Sequence, residues 1–193
     1  MSVDLTNAED STSLHLSALI GTLEATEALC ERGAPLNNAD KDGENPLLLV
    51  TRCGKTEVFH YLIEIGANIN IRDINSNTAF HRAAIMRSVE IIKILLDKGM
   101  AVELTNATDS MPLHFSSYYG NLEATKALVE RGAPLNNTNK NGVTPLLLGA
   151  RYGKAEVFHC LTQTGTAINI PGAEKTLLFT MLLFRIIGKL SRF

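Results

Sequence analysis

The side chains through which this chain could do acid–base, nucleophilic or metal chemistry are its five histidines, three cysteines and 20 acidic residues. Their spacing argues against each use. The interval from His15 to His81 is twice that from His81 to His114, a periodic placement that suits one structural position met again and again rather than a single reactive constellation. His60 and His159 lie in apolar runs. Cys160 follows the second of them at an expected core position, and no further Cys or His comes after it at ligand spacing, so no zinc site is expected. Glu24, Glu27 and Glu31, and then Glu123, Lys126 and Glu130, are separated by three and four residues. That spacing puts each set on one helical stripe, which reads as a solvated face and not as paired catalytic carboxylates. The chain also has no phosphate loop, nucleophile elbow, zinc-protease helix or dinucleotide fingerprint. No enzyme activity, metal or cofactor is expected.

What places these residues is a repeat. Gly120 to Leu161 recurs 99 residues earlier as Gly21 to Leu62, with 29 of 42 positions identical. Within that interval lies a shorter period, one third as long, because Gly33, Gly66, Gly99, Gly132 and Gly165 are evenly spaced. Aligned on these glycines the chain divides into repeats of about 7–39, 40–72, 73–105, 106–138 and 139–170, followed by 171–193. A period of this length is the mark of a solenoid, in which each unit packs only on its neighbours.

The fifth repeat shows the local physics most fully. Asn141-Gly142 is a tight-turn dipeptide, since both residue types tolerate positive φ. A helix should start just after it: Thr144 can cap the first free amides, and Pro145 suits the first helical position, where no donor is needed. Asn45-Pro46 repeats the device in the second repeat. Gly153 ends this helix, and Lys154–Thr164 forms another, closed by Gly165. In the third repeat the second helix is expected at Val89–Lys98, where Glu90, Lys93 and Asp97 are the polar stripe of an otherwise apolar run. Each repeat is therefore turn, helix, loop, helix.

The order Gly-x-Thr-Pro-Leu-His-x-Ala-Ala, Gly, apolar helix, Leu-Leu-x-x-Gly-Ala-x-x-Asn resembles the ankyrin repeat over roughly residues 7–170. Leu14-His15, Pro46-Leu47, Thr78 with His81-Arg82-Ala83-Ala84, Pro112-Leu113-His114, Thr144-Pro145-Leu146 and the pairs Gly33-Ala34, Gly66-Ala67 and Gly132-Ala133 carry the resemblance. So do Asn37, Asn70, Asn136 and Asn169, at the closing position of each finger. The departures are Arg87-Ser88 in place of Gly-His, Met111 in place of the capping Thr, and Leu48 and Leu147 in place of His. The resemblance implies an all-α solenoid of five helix-pair repeats with hairpin fingers, histidines that tie neighbouring repeats together, and protein–protein recognition on the concave side.

On that expectation the exposed faces of the first helices and the finger tips carry the partner-binding residues. They are Arg52 and Cys53 in the second repeat, Arg82 and Met86 in the third, Tyr118 and Tyr119 in the fourth, and Arg151 and Tyr152 in the fifth, with Asp42, Glu44, Phe115, Asn141 and Val143 beside them. Tyr, Arg and Met combine large contact area with a polar handle or adaptable packing. Between the two copies the packing pairs Leu29/Leu128 and Val58/Val157 persist, whereas Cys53/Tyr152, Glu44/Val143 and Asp42/Asn141 differ. The copies are expected to share a scaffold and not a contact chemistry.

The expected partner is another protein. A formal charge of -2 from 18 basic and 20 acidic residues gives the whole molecule no reason to bind a phosphate backbone, so nucleic acid is not expected. An odd number of cysteines without framework spacing and a polar, acidic start point to the cytoplasm. Residues 171–193 read as a degenerate sixth repeat or an amphipathic C-terminal cap helix. The apolar run Leu177 to Phe184 is far short of the ~20 residues that span a bilayer. A second functional reading makes this segment, with Arg185, Lys189 and Arg192 on one face, the anchor of a membrane-associated adaptor.

Overall fold

Each finger is built by its first residue. In the second repeat Asp40 N–H donates to the Glu44 carbonyl at 3.0 Å, and Gly43 N–H donates back to the Asp40 carbonyl at 3.0 Å. The Asp40 carboxylate closes the same turn, its Oδ1 accepting the amides of Asp42 at 3.0 Å and Glu44 at 2.9 Å. One side-chain oxygen thus satisfies two amides that a tight turn would otherwise leave open. Asn7, Asp73, Asn106 and Asn139 do the same, one at the head of each other repeat. The fourth turn residue is left-handed each time, as Asp10 (φ 58°), Gly43 (72°), Ser76 (59°), Asp109 (55°) and Gly142 (70°). Asn141 itself, expected to share the left-handed region, does not; Gly142 alone makes that turn.

The computed structural model describes residues 6–166 and contains ten α-helices and no strand among them. Residues 171–193, expected as a degenerate sixth repeat or an amphipathic cap helix, lie outside the described residues. The chain falls into two compact units, Met1–Met100 and Ala101–Phe193.

The first unit holds α1 (Ser13–Ile20), α2 (Leu23–Glu31), α3 (Pro46–Cys53), α4 (Thr56–Glu64), α5 (Ala79–Met86) and α6 (Val89–Asp97). Here α1, α3 and α5 pack side by side as an inner row, and α2, α4 and α6 as an outer row behind them. Leu14, Leu47, Phe59, Leu62, Phe80, Ile91 and Leu95 fill the space between the rows without exposure to solvent above 1 %. On α6 it is Glu90, Lys93 and Asp97 that remain exposed, so the polar stripe faces water as the spacing requires.

In the second unit α7 (Pro112–Tyr119) lies beside α9 (Pro145–Arg151), with α8 (Leu122–Glu130) and α10 (Ala155–Gln163) behind. Leu113, Leu128, Leu146 and Leu161 are its buried core. Cys160 is half-buried rather than a core residue: α10 turns it toward the outer surface, near Lys126 and Glu130.

The helix starts are those the sequence calls for. Asn45 Oδ1 accepts the Leu48 amide at 2.8 Å and Thr144 Oγ1 the Leu147 amide at 3.3 Å, each ahead of a proline at the first helical position. Where the motif has histidine, the ring does this work and more. The Thr12 amide donates to His15 Nδ1 at 3.1 Å, while His15 Nε2 lies 3.0 Å from the Glu44 carbonyl of the next finger. A carbonyl only accepts, so Nε2 carries the proton and the ring is the neutral tautomer. His114 is placed alike, between the Met111 amide at 3.1 Å and the Val143 carbonyl at 3.2 Å. These histidines are structural ties from one repeat to the next.

Candidate functional site

The inner-row helices are short, so their last turns emerge beside the fingers. Arg52, Tyr118, Tyr119, Arg151 and Tyr152 lie in or just after those last turns, whereas Arg82 stands in the first turn of α5. In the first unit the resulting site is ionic. Arg52, in the last turn of α3, donates from Nε to Glu44 Oε2 at 3.0 Å. Arg82 of α5 sits with Nη2 2.9 Å from Glu44 Oε1 and pairs with Asp73, the residue that builds the third finger. The side chains of Glu44 and Asp73 are only 2 % and 0 % exposed.

Glu44 was expected as an exposed contact residue, and this is corrected. The finger turn directs its side chain inward, where two guanidinium groups cover it. Burial pushes its carboxyl pKa up, the charges of Arg52 and Arg82 oppose the rise, and Asp40 adds to it. The pairing is incomplete in direction, because Glu44 Oε1 and Arg82 Nε are buried without a hydrogen-bond partner. Above them opens a cleft of about 270 Å3 lined by Asp42, Glu44, Arg52, Ile74, Asn75 and Arg82.

The second unit uses the equivalent positions differently. In the other copy of the sequence Val143 stands where Glu44 does, Arg151 where Arg52 does, and Tyr152 where Cys53 does. Tyr118 packs between two other rings, with centroids 4.8 Å from Tyr119 at 72° and 4.3 Å from Tyr152 at 55°. The edge-on contact with Tyr119 is a favoured arrangement of aromatic pairs. The cleft they border, about 420 Å3, is lined by Ser110, His114, Phe115, Asn139, Asn141, Val143, Leu148 and Arg151 besides the three tyrosines. Tyr119 and Tyr152 remain 38 % and 45 % exposed. The neighbouring Tyr152 phenol, followed by partial burial, raises the Tyr118 hydroxyl above its ordinary pKa, so it stays a donor at neutral pH.

The structure thus brings Tyr118, Tyr119, Arg151 and Tyr152 into one cleft, and Arg52 and Arg82 onto one buried carboxylate. It does not bring in Cys53, which is half-buried, or Met86, which is 47 % exposed; neither lines these two clefts. Asp73 was missed by sequence reasoning, although an acid at the first position of a repeat that also carries an arginine nine residues on was the available signal. A further cleft of about 400 Å3 lies on the outer row of the first unit between Glu27, Glu57, Glu64 and Glu90, with His60 3.3 Å from Glu64.

Burial raises the thiol pKa of Cys30 and Cys160, which keeps both protonated near neutral pH. Among the described residues no group of three or more His, Cys, Asp or Glu side chains is arranged to hold a metal ion, and no helix is long and apolar enough to cross a membrane.

Comparison with known families agrees with the geometry. The family described as ankyrin repeats (3 copies) matches residues 1–73 and 80–172, and that described as ankyrin repeats (many copies) matches residues 54–96. No curated protein matches the chain. With inner and outer helix rows within each unit, ties at His15 and His114 and a regularly recurring finger among the described residues, the chain belongs to the ankyrin repeat family.

Proposed function

We propose that this protein is a non-catalytic scaffold that holds another protein against the face formed by its fingers and inner-row helices. Ankyrin repeats are in general protein-interaction modules, and a fold alone does not fix a site. The observation that carries the reading is local: Tyr119 and Tyr152 stay 38 % and 45 % exposed beside Arg151, on a surface where packing of the repeat does not call for large rings. Tyr and Arg clustered at the edge of a cleft are the residue types that dominate protein interfaces. A formal charge of -2 supports a protein partner over nucleic acid, and three free cysteines suit the cytoplasm.

Affinity capture from cell lysate tests this. The native chain is compared with a variant carrying Tyr119→Ala, Arg151→Ala and Tyr152→Ala, and with an outer-row control, Glu123→Ala and Glu130→Ala, all matched for helicity by circular dichroism. Proteins lost only from the first variant support the inner face. Proteins lost only from the control, or from neither, would overturn it.

A further inference from the structure

The two clefts differ in one way that specifies a ligand. In the first unit Arg52 already has its carboxylate, Glu44, at 3.0 Å. In the second, Arg151 occupies the same place on α9, but the position of Glu44 is taken by Val143. Among the described residues Arg151 makes no ion pair, and no acidic residue lines its cleft. The cleft is also larger, about 420 Å3 against about 270 Å3, and one wall of it is aromatic.

We propose that the second-unit cleft binds a segment of a partner protein in which a side-chain carboxylate stands next to a bulky apolar side chain. This rests on the inner-face reading above and specifies the partner's chemistry. The carboxylate takes the place on Arg151 that Glu44 holds on Arg52, a geometry the molecule itself displays once already. The apolar side chain lies against the exposed rings of Tyr119 and Tyr152, between which Tyr118 packs. Asn139 and Asn141 at the finger border offer amides to the segment's backbone. A basic side chain is disfavoured, because Arg151 repels it and no carboxylate lines the cleft to compensate.

Four acetylated, amidated probe peptides with Gly-Ser flanks test the proposal, with Glu-Phe, Gln-Phe, Glu-Ala or Lys-Phe at their centre; a fifth ends in Phe as a free acid. Titrations of the full chain are followed by NMR at the tyrosine rings and the Arg151 Nε–H. Three of the chain's four tyrosines line this cleft and there is no tryptophan, so the ring signals are sparse. The Glu-Phe peptide is expected to shift Tyr119, Tyr152 and Arg151, and to bind about tenfold more tightly than the Gln-Phe peptide, the worth of one charge-assisted contact, and about tenfold more tightly than the Glu-Ala peptide, the worth of a partly buried apolar ring. The free-acid peptide separates a chain terminus from a side chain as the source of the carboxylate, and tighter binding by it overturns the assignment.

The decisive variant is Val143→Glu, which gives Arg151 an internal partner like that of Arg52. It should weaken the Glu-Phe peptide about tenfold and leave the Gln-Phe peptide unchanged. Arg151→Gln provides the same reading if Val143→Glu is poorly folded. Binding without preference among the peptides, preference for Lys-Phe, or a Glu-Phe affinity that neither variant changes overturns the proposal while the inner-face reading stands. If no peptide shifts the tyrosines the proposal also fails, and the capture experiment then decides the broader reading by itself.

Discussion

Glu44 and Val143 hold the same place in two copies of one sequence, and the surfaces around them have become opposites. Around Glu44 two arginines and a second buried carboxylate form ion pairs with one another. Around Val143 the equivalent arginine makes no ion pair among the described residues and three tyrosines crowd beside it. A backbone tie common to both, from His15 to the Glu44 carbonyl and from His114 to the Val143 carbonyl, holds either finger in register whatever the side chain above it does. The lesson is that register is set by the backbone and the histidine, which leaves the finger's last side chain free to change. A carboxylate there closes the cleft on itself, and a valine there opens it.

The largest expected effect tests whether the ionic side is structural. Arg82→Met leaves Glu44 and Asp73 buried with one guanidinium fewer, and should cost about 3 kcal/mol of unfolding free energy in urea. Arg151→Met removes a charge that is exposed and outside any ion pair among the described residues, and should change stability by less than about 0.5 kcal/mol. Equal losses would erase the distinction between the two units. Next in size, Tyr118→Leu removes a ring held at 4.8 and 4.3 Å by two others. It should cost about 1 kcal/mol, with no dependence on salt.

Smaller effects come from pH and have opposite signs in the two units. Burial raises the Glu44 pKa in the folded chain, so the folded state holds that proton more tightly than the unfolded one. The stability from Glu44 is therefore full below the unfolded value of about 4.3 and is lost as pH rises through the folded value. Glu44→Gln should accordingly gain on the native chain between pH 4 and pH 7 in urea titrations. Burial lowers the His114 pKa, against the opposing hydrogen bonds to the Val143 and Asn137 carbonyls. Its contribution is full above the unfolded value of about 6.5 and is lost as pH falls from there through the folded value. An NMR titration of the His114 ring with its midpoint above that of a histidine in an unfolded chain would contradict the burial of the neutral ring, since burial is what lowers its pKa.

The helix-pair repeat was legible because its signals are local and periodic: capping Asn45 and Thr144, helix-starting prolines, and evenly spaced glycines. The repeat boundaries fell on Asn7, Asp40, Asp73, Asn106 and Asn139, yet their role in nucleating the fingers was not read, since an Asx residue in a turn is too common to stand out until its two amides are seen. The tyrosines and Arg151 were legible as a group because they share one helix face per repeat. Glu44 was misjudged for a non-local reason. Its burial depends on Arg82 and Asp73, which come from the next repeat, and on a turn that points it inward, and neither is visible in the spacing around residue 44. Cys53 and Met86 were included by helical position alone, which says which face a residue shares but not how far that face extends into a cleft.

The smallest effect concerns the backbone between the paired helices. This turn is left-handed at Gly21 (φ 80°), Gly54 (67°), Gly120 (73°) and Gly153 (65°), but the third repeat uses Arg87 at 61°. A side chain in this region costs about 1–2 kcal/mol, while glycine adds about 0.5–1 kcal/mol of chain entropy to the unfolded state. Arg87→Gly should therefore stabilise the chain by about 0.5 kcal/mol, the difference of the two. The reverse experiment is available at Gly54, where an added Cβ would meet nothing within 4 Å, so that Gly54→Ala isolates the backbone strain from any clash. Its loss should match the gain at Arg87 in size, about 0.5 kcal/mol. A loss at Gly54 with no gain at Arg87 would mean that the Arg87 side chain contributes as much as its backbone costs, and the third repeat would then differ from its neighbours by contact and not by strain.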